Sequence, residues 1–268
     1  MQIFDPQTFR QFLGQPTCYR NHVWGIEQRF VVSGASLAKY ERLLRDSIYS
    51  HHSSFDFSDE IIEVGYPLTA QAMRQRNSGT PADDRTQMGN LGEVIGTEFA
   101  RAFLEFETTL AFPKRLNANI DQPMKGADII GLRDNNRPAE LLIGEAKSYK
   151  QFDKHSIEEA YNYLVDLQTR AASRMLRFMK EALHLQEKKQ QRANVDRHMA
   201  QSVPRHYLIV SITQSAPVAP FDIIAQQFAQ VQLPFLVAVH IQICDLKGRT
   251  TKGKLEESES WLSKLFAP

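Results

Sequence analysis

The chain has 268 residues, of which 42% are hydrophobic, so it is long enough and apolar enough to bury a substantial core. This composition excludes disordered and fibrous proteins. The 32 Lys and Arg against 31 Asp and Glu give a formal net charge of +1, which excludes a basic field over the whole surface. Any contact with nucleic acid must therefore come from a local patch.

Two cysteines, Cys18 and Cys244, stand far apart in the sequence. Their number and spacing argue against a disulfide framework and against a zinc site with cysteine ligands. No apolar run approaches the roughly 20 residues that span a bilayer, and the first residues contain neither a basic nor an apolar leader segment. We therefore expect a cytoplasmic protein that is neither exported nor embedded in a membrane.

Residues 1–80 show no pattern of chemical function. They include a strand-like run at 29–32 and apolar residues at helical spacing over 36–49. Residues 74–85 then lose almost every apolar side chain and gather Gly, Pro, Asn and Ser, as a linker or a surface loop does. We place a domain boundary between residues 80 and 81. The first 80 residues are then a candidate partner-docking region or lid, and residues 81–268 form the second domain.

The second domain has a regular hydrophobic periodicity. Apolar residues recur at helical spacing over 89–106, with Asn90 as the candidate N-cap. The elements that follow are, in chain order, strands at 108–116, 125–132 and 140–147, a helical region at 156–199, a strand at 206–212, a helix at 221–230 and a strand at 235–243. The first three strands are expected to form a meander, and the domain is expected to be α/β.

Charged residues recur at particular places in the second and third of these strands. Asp128 lies in one strand, and Glu145 and Lys147 lie at the end of the next. Because side chains alternate along a strand, Glu145 and Lys147 share one face. If the two strands are antiparallel neighbours, Asp128 lies opposite Glu145. Two carboxylates and an ammonium group would then converge on one point.

Two carboxylates at close range repel each other unless a cation lies between them, and a hard divalent ion is the usual neutraliser. Mg²⁺ fits best, with Mn²⁺ as a substitute. Asp128 and Glu145 would be its ligands, together with the backbone carbonyl of Ala146 and water. Water activated by such an ion attacks phosphodiesters. Lys147 would orient or help to deprotonate that water and would stabilise charge on the phosphate.

Glu93 is a further candidate for catalysis and for metal binding. It lies in the predicted helix that precedes the strands, beside Gly89 and Gly92. These two glycines would let the helix approach the sheet closely and aim the Glu93 carboxylate at the metal ion.

The order of a helical Glu, a strand Asp and a strand Glu-x-Lys resembles the PD-(D/E)xK nuclease superfamily. The matching residues are Glu93, Asp128, Glu145 and Lys147. Ala127 stands where the superfamily usually has proline. The resemblance implies a restriction-endonuclease-like α/β core, with a mixed central sheet flanked by helices, and an N-terminal extension.

Three segments of the second domain, residues 88–93, 124–131 and 143–147, are more narrowly similar to the HamA family of the Hachiman antiphage defence system. That resemblance implies a Mg²⁺-dependent deoxyribonuclease that acts on DNA beside a superfamily 2 helicase, HamB. The helicase would restrain and activate the nuclease.

The charged residues also have a purely structural interpretation. Residues 126–128 could form a turn, with Glu145 and Lys147 as an exposed cross-strand ion pair. A catalytically silent subunit that gates or loads the helicase is the functional alternative, although such a subunit gains nothing from clustered carboxylates. A restriction-type endonuclease is disfavoured because no base-reading module is recognisable.

The helical region at 156–199 is rich in basic residues. Arg170, Arg174 and Arg177 fall on one helical face and could follow a phosphate backbone. A solvated helix face explains them equally well. Tyr161, at the start of the same region, is assigned to core packing.

Overall fold

The computed structural model describes residues 4–53, 84–108, 127–133, 140–169 and 205–244, together with the single positions 180, 192, 193, 195, 196 and 265. The helices with bounds in this part are α1 (Pro6–Leu13), α2 (Gly34–Ser53), α3 (Asp84–Phe103), α4 (Lys154–Thr169) and α5 (Asp222–Phe228). The strands are β1 (Cys18–His22), β2 (Gly25–Val32), β3 (Glu107–Thr108), β4 (Ile129–Arg133), β5 (Glu140–Tyr149), β6 (Arg205–Thr213) and β7 (Leu236–Ile243). Across these residues, no helix combines the length and the apolar character needed to cross a membrane.

The strands form one mixed sheet of seven, in the order β1-β2-β7-β6-β5-β4-β3. Strands β2, β7, β6 and β5 pair in parallel, whereas β1 with β2 and the series β3-β4-β5 pair antiparallel. The predicted meander is therefore confirmed, and so is an α/β fold with a mixed sheet between helices.

The helices cover both faces of the sheet, and the alternation along β5 shows which face is which. Leu142 belongs to a core formed with residues of α1, α2 and α3, including Phe9, Leu37 and Phe99. Ile143 belongs to a second core, which includes Ile157 of α4 and Ile224 of α5. Because neighbouring residues of a strand point to opposite faces, every second residue of β5 faces α4.

Residues of the N-terminal region take part in the same sheet. Strand β2 pairs in parallel with β7 over its full length, from Gly25 opposite Leu236 to Val32 opposite Ile243. The proposed boundary between residues 80 and 81 lies outside the described residues, so it stays a prediction together with the proposed docking or lid role.

Helix α3 begins earlier than the sequence pattern predicts. It starts at Asp84, so the prediction of Asn90 as N-cap is wrong. Asn90 lies inside the helix and is buried. The first turn of the helix consists of Asp84, Arg85, Thr86 and Gln87. All four residue types are polar or charged, so a search for apolar repeats does not detect this turn.

Several predicted features lie outside the described residues. The predicted strand at 108–116 is one, since β3 contains only its first residue. The start of the predicted strand at 125–132 is another. The basic residues Arg170, Arg174 and Arg177 also lie outside the described part.

Candidate functional site

The meander brings Asp128 next to Glu145. In the antiparallel pairing of β4 with β5, Ile129 lies opposite Gly144, so Asp128, directly before β4, comes opposite Glu145. An oxygen of Asp128, Oδ2, accepts a hydrogen bond from the backbone nitrogen of Ala146 at 2.9 Å. Asp128 therefore lies directly before β4, and not within the strand as predicted. Its carboxylate is hydrogen-bonded to β5, in agreement with the antiparallel register.

Glu145 and Lys147 lie inside β5 and not at its end as predicted, because pairing with β6 continues to Tyr149 opposite Thr213. The Nζ atom of Lys147 is 3.0 Å from Oε1 of Glu145. Both residues alternate with Ile143 and so face α4. Glu145 is 8% exposed. The alternative of an exposed cross-strand ion pair is therefore wrong, since the pair lies within one strand and its carboxylate is buried.

The carboxyl group of Glu145 is electrostatically unfavourable as an anion. Its pKa is raised to about 8. Burial is the largest cause and the nearby charge of Asp128 is the next, Lys147 opposes both effects, and Glu93 adds a smaller upward contribution. Its second oxygen, Oε2, is buried and has no hydrogen-bond partner among the described residues. A buried carboxylate with an oxygen left unsatisfied requires an explanation beyond packing.

Lys147 is held in its charged form. Burial alone lowers the pKa of its ammonium group, but the charge of Glu145 and the hydrogen bond to it, followed by Tyr149 and Asp128, outweigh burial and raise that pKa above its usual range. A lysine with a raised pKa is a permanent cation near neutral pH, so it is suited to binding negative charge and unsuited to removing a proton.

Glu93 lies on α3, which packs on the other face of the sheet from α4. It is half-buried on α3, and its charge acts on Glu145 more weakly than those of Asp128 and Lys147. A Cβ atom at Gly92 would lie 3.0 Å from Cβ of Ser148, whereas one at Gly89 would meet nothing within 4 Å. Gly92 thus allows the predicted close approach of helix to sheet, and Gly89 is not needed for it.

Two further features of the site were missed in the sequence. Gly96, one turn after Gly92, leaves room for Ile129, whose Cδ1 atom would lie 2.5 Å from a Cβ at that position. Tyr163 of α4 lies near the carboxylates: burial raises the pKa of its phenol to about 12, with added upward effects from Glu145, Asp128 and Asp166. Tyr163 could have been identified from the sequence, because the helix that directly follows β5 is expected to cover the face of the strand that contains Glu145.

The donors at the site fit a hard divalent ion only in part. Asp128 and Glu145 supply carboxylate oxygens, one of them the partnerless Oε2. Within the described ranges, no group of three or more His, Cys, Asp and Glu side chains is placed to hold a metal ion. Mg²⁺ commonly uses one or two carboxylates and completes its shell with water. The pair therefore suits Mg²⁺, and Glu93 as a third ligand stays a prediction.

Comparison with known proteins gives two matches. The profile of the HamA family matches residues 24–218, nearly three quarters of the chain, and this span contains Glu93, Asp128, Glu145 and Lys147. A relative from Bacillus cereus, described as "Hachiman protein HamA", is 35% identical over 86 residues. That alignment covers 32% of this chain and 30% of the relative, so it spans less than a third of the relative's length.

Proposed function

The chain belongs to the HamA family of Hachiman antiphage defence proteins, and from this premise we propose that it is a Mg²⁺-dependent DNA nuclease with a PD-(D/E)xK core. It acts in the cytoplasm as the effector of a defence complex, where a superfamily 2 helicase subunit restrains and activates it. The mixed α/β sheet and the placement of Asp128 beside Glu145 support this proposal.

The observation that carries the proposal is the buried Glu145 carboxylate, which faces a second carboxylate and has one oxygen without a hydrogen-bond partner among the described residues. Burying two like charges together costs free energy, and Lys147 neutralises only one of them. A protein gains nothing in stability from such an arrangement. A divalent cation between the two carboxylates would remove the repulsion and satisfy the open oxygen.

Asp128 and Glu145 would hold the ion, with the carbonyl of Ala146 and water as further ligands. Bound there, Mg²⁺ supplies charge neutralisation and an activated water for attack on a phosphodiester. The backbone nitrogen of Ala146 holds the Asp128 carboxylate in place by its hydrogen bond. Lys147, kept cationic by its neighbours, binds the phosphate and stabilises the negative charge that grows on it in the transition state.

The direct test is DNA cleavage with the purified chain and its helicase partner, in Mg²⁺ and in EDTA. Glu145→Gln keeps the size of the side chain and removes its charge, so cleavage is expected to fall at least about 10²-fold. Lys154→Ala changes an exposed lysine at the start of α4 and should cleave as the wild type does.

Protection against phage separates this proposal from the alternative of a silent regulatory subunit. An effector nuclease loses protection when Glu145→Gln or Asp128→Asn is introduced. If both variants protect as well as the wild type while binding the helicase normally, the chain regulates its partner and does not cut DNA.

A further inference from the structure

A basic residue of the N-terminal region lies in the same row of paired residues as Lys147. Pairing across the parallel strands aligns Lys147 of β5 with Ser211 of β6, and Ser211 with His240 of β7. His240 is in turn aligned with Arg29 of β2. Because paired residues of neighbouring strands share a face, Arg29 lies on the same face as Lys147, three strands or about 14 Å away.

Glu27 and Arg29 repeat the arrangement of Glu145 and Lys147. In both strands a buried glutamate precedes the basic residue by two positions, so the two side chains share a face. Nε of Arg29 donates to Oε1 of Glu27 at 2.5 Å. The side chains of Arg29 and Lys147 remain 16% and 21% exposed. Both cations therefore reach the solvent, toward the carboxyl ends of parallel strands, where ligands bind in open α/β sheets.

The two pairs differ in what surrounds the carboxylate. Oε2 of Glu27 lies 2.8 Å from Nε2 of His22, so both of its oxygens have partners, whereas Oε2 of Glu145 has none among the described residues. In the antiparallel pairing of β1 with β2, Arg20 lies opposite Glu27. At the matching position beside β5, a carboxylate, Asp128, comes opposite Glu145. The second pair therefore lacks the two carboxylates that attract a metal ion, and has an arginine instead.

The arginine cluster consists of Arg20, Glu27 and Arg29 and has a net positive charge. Arg20 is exposed, and Glu27 offsets one of the two arginine charges. The Arg29 guanidinium is held by Glu27 and by the carbonyl of Val218, which accepts from Nη1 at 2.6 Å. These bonds fix the plane of a group that has five N–H donors, so donors remain for a further acceptor. An oriented guanidinium beside a second arginine suits a phosphate group.

We propose that the arginine cluster binds a phosphate group of the DNA whose scissile phosphate lies at Lys147. The inference rests on the proposed function, which places DNA at the carboxylates. A separation of about 14 Å equals about four steps of roughly 3.4 Å along one strand of a duplex, so one DNA molecule spans both points. Ser211 and His240 are buried between them, so the DNA is contacted at the two ends of the row. Strands β1 and β2 then belong to the DNA-binding surface.

The test measures the binding of a labelled DNA duplex to the full-length chain by fluorescence anisotropy at several salt concentrations. Each variant is made in a Glu145→Gln parent, so that the DNA stays intact. Arg20→Gln removes an exposed charge and should lower the affinity at least about threefold. The slope of log affinity against log salt concentration should decrease in magnitude by about 0.9, as the loss of one phosphate contact on duplex DNA requires.

Two further variants complete the comparison. Arg42→Gln removes the charge of an arginine on α2 whose side chain is 89% exposed. Because α2 packs on the other face of the sheet, this control should keep the affinity and the slope of the parent. Arg29→Gln should change both as Arg20→Gln does. It also takes a partner from buried Glu27, so its melting temperature is measured, and Arg20→Gln alone decides if Arg29→Gln does not fold.

The outcomes separate this proposal from the nuclease proposal. If Arg20→Gln keeps the slope of the parent, with or without a lower affinity, the arginine cluster does not bind a phosphate. The nuclease proposal still stands in that case if DNA cleavage by the chain with its helicase depends on Glu145. If the parent binds no DNA, the second contact is wrong as well. If cleavage does not depend on Glu145 while Arg20→Gln lowers the slope, the cluster binds DNA and the nuclease proposal is wrong.

Discussion

The ammonium group of Lys147 lies 3.0 Å from Oε1 of Glu145 on one face of β5, while Oε2 of the same carboxylate is buried without a hydrogen-bond partner in the described part of the chain. Lysine thus neutralises one side of the carboxylate and leaves the other side open. The open side is where a cation can be bound, and the ammonium group beside it is where a phosphate can be bound.

Lys147→Ala is expected to lower DNA cleavage at least about 10²-fold, the usual effect of removing one electrostatic stabiliser of a transition state. Folding should be affected little. The carboxyl of Glu145, with a pKa already raised to about 8, can take up a proton once its ammonium partner is removed. The melting temperature should therefore stay within a few degrees of wild type. Cleavage at the wild-type rate by Lys147→Ala would rule out the assigned role.

Glu145→Gln should weaken metal binding and, in the absence of metal, raise the stability of the protein. In calorimetry with Mg²⁺ or Mn²⁺, Glu145→Gln and Asp128→Asn should each bind at least about tenfold more weakly than wild type, because an anionic ligand is lost. In EDTA, Glu145→Gln should melt at a higher temperature, since the buried carboxylate that faces Asp128 has been replaced by a neutral amide. Glu159→Gln, at an exposed position of α4, should change neither property. Equal metal affinity in wild type and both variants contradicts the metal assignment.

The part of the fold that follows local patterns could be predicted from the sequence. The pairing of β4 with β5 is an example, because two short apolar runs separated by the turn-forming residue types at 134–138 predict neighbouring antiparallel strands. On the condition that these strands are antiparallel neighbours, Asp128 could be expected opposite Glu145, and the pairing of Ile129 with Gly144 agrees. The buried, partly satisfied state of Glu145 could not, because it depends on α4 covering that face of β5.

Contacts between residues that are far apart in the chain could not be predicted from local sequence patterns. The parallel pairing of β2 with β7 joins residues about 210 positions apart in the sequence, and no local pattern encodes such a partner. Phe106, Arg133 and Phe235 likewise line one cavity only because the segment after α3, the end of β4 and the start of β7 meet in the fold. Gly96 was overlooked for the same reason, since its function is to leave space for Ile129 on another element.

Two glycines on α3 give a matched pair of variants. Gly89→Ala adds a methyl group where nothing lies within 4 Å, so the higher helix propensity of alanine should stabilise the protein by up to about 1 kcal/mol. Gly92→Ala adds one 3.0 Å from Cβ of Ser148, which should cancel that gain and push α3 away from β5. DNA cleavage should fall in Gly92→Ala and not in Gly89→Ala, because Glu93 is displaced with the helix. Urea denaturation and cleavage assays check the two expectations, and equal behaviour of both variants contradicts the close packing.

His240 is expected to make the stability of the protein depend on pH. It is buried on β7, with Nδ1 3.3 Å from Oγ of Ser211 and Nε2 3.5 Å from Oγ1 of Thr213. Burial lowers the pKa of its imidazole to about 4, the charge of Arg29 lowers it as well, and Glu27 opposes them. The folded protein therefore keeps this ring neutral down to about pH 4, whereas the unfolded chain protonates it near pH 6.5.

Between these two values the unfolded state binds more protons than the folded state, so the contribution of His240 to stability is complete above about pH 6.5 and is lost as the pH falls toward 4. Urea denaturation at pH 7 and pH 4.5 measures it. The wild type should lose about 2 kcal/mol more than His240→Gln over this interval, at 1.36 kcal/mol per pH unit and with incomplete burial taken into account. His155→Gln removes an exposed histidine on α4 and should follow the wild type. The difference between the wild type and His240→Gln reports the buried imidazole. Parallel losses in these two proteins would show that His240 is not held neutral by the fold.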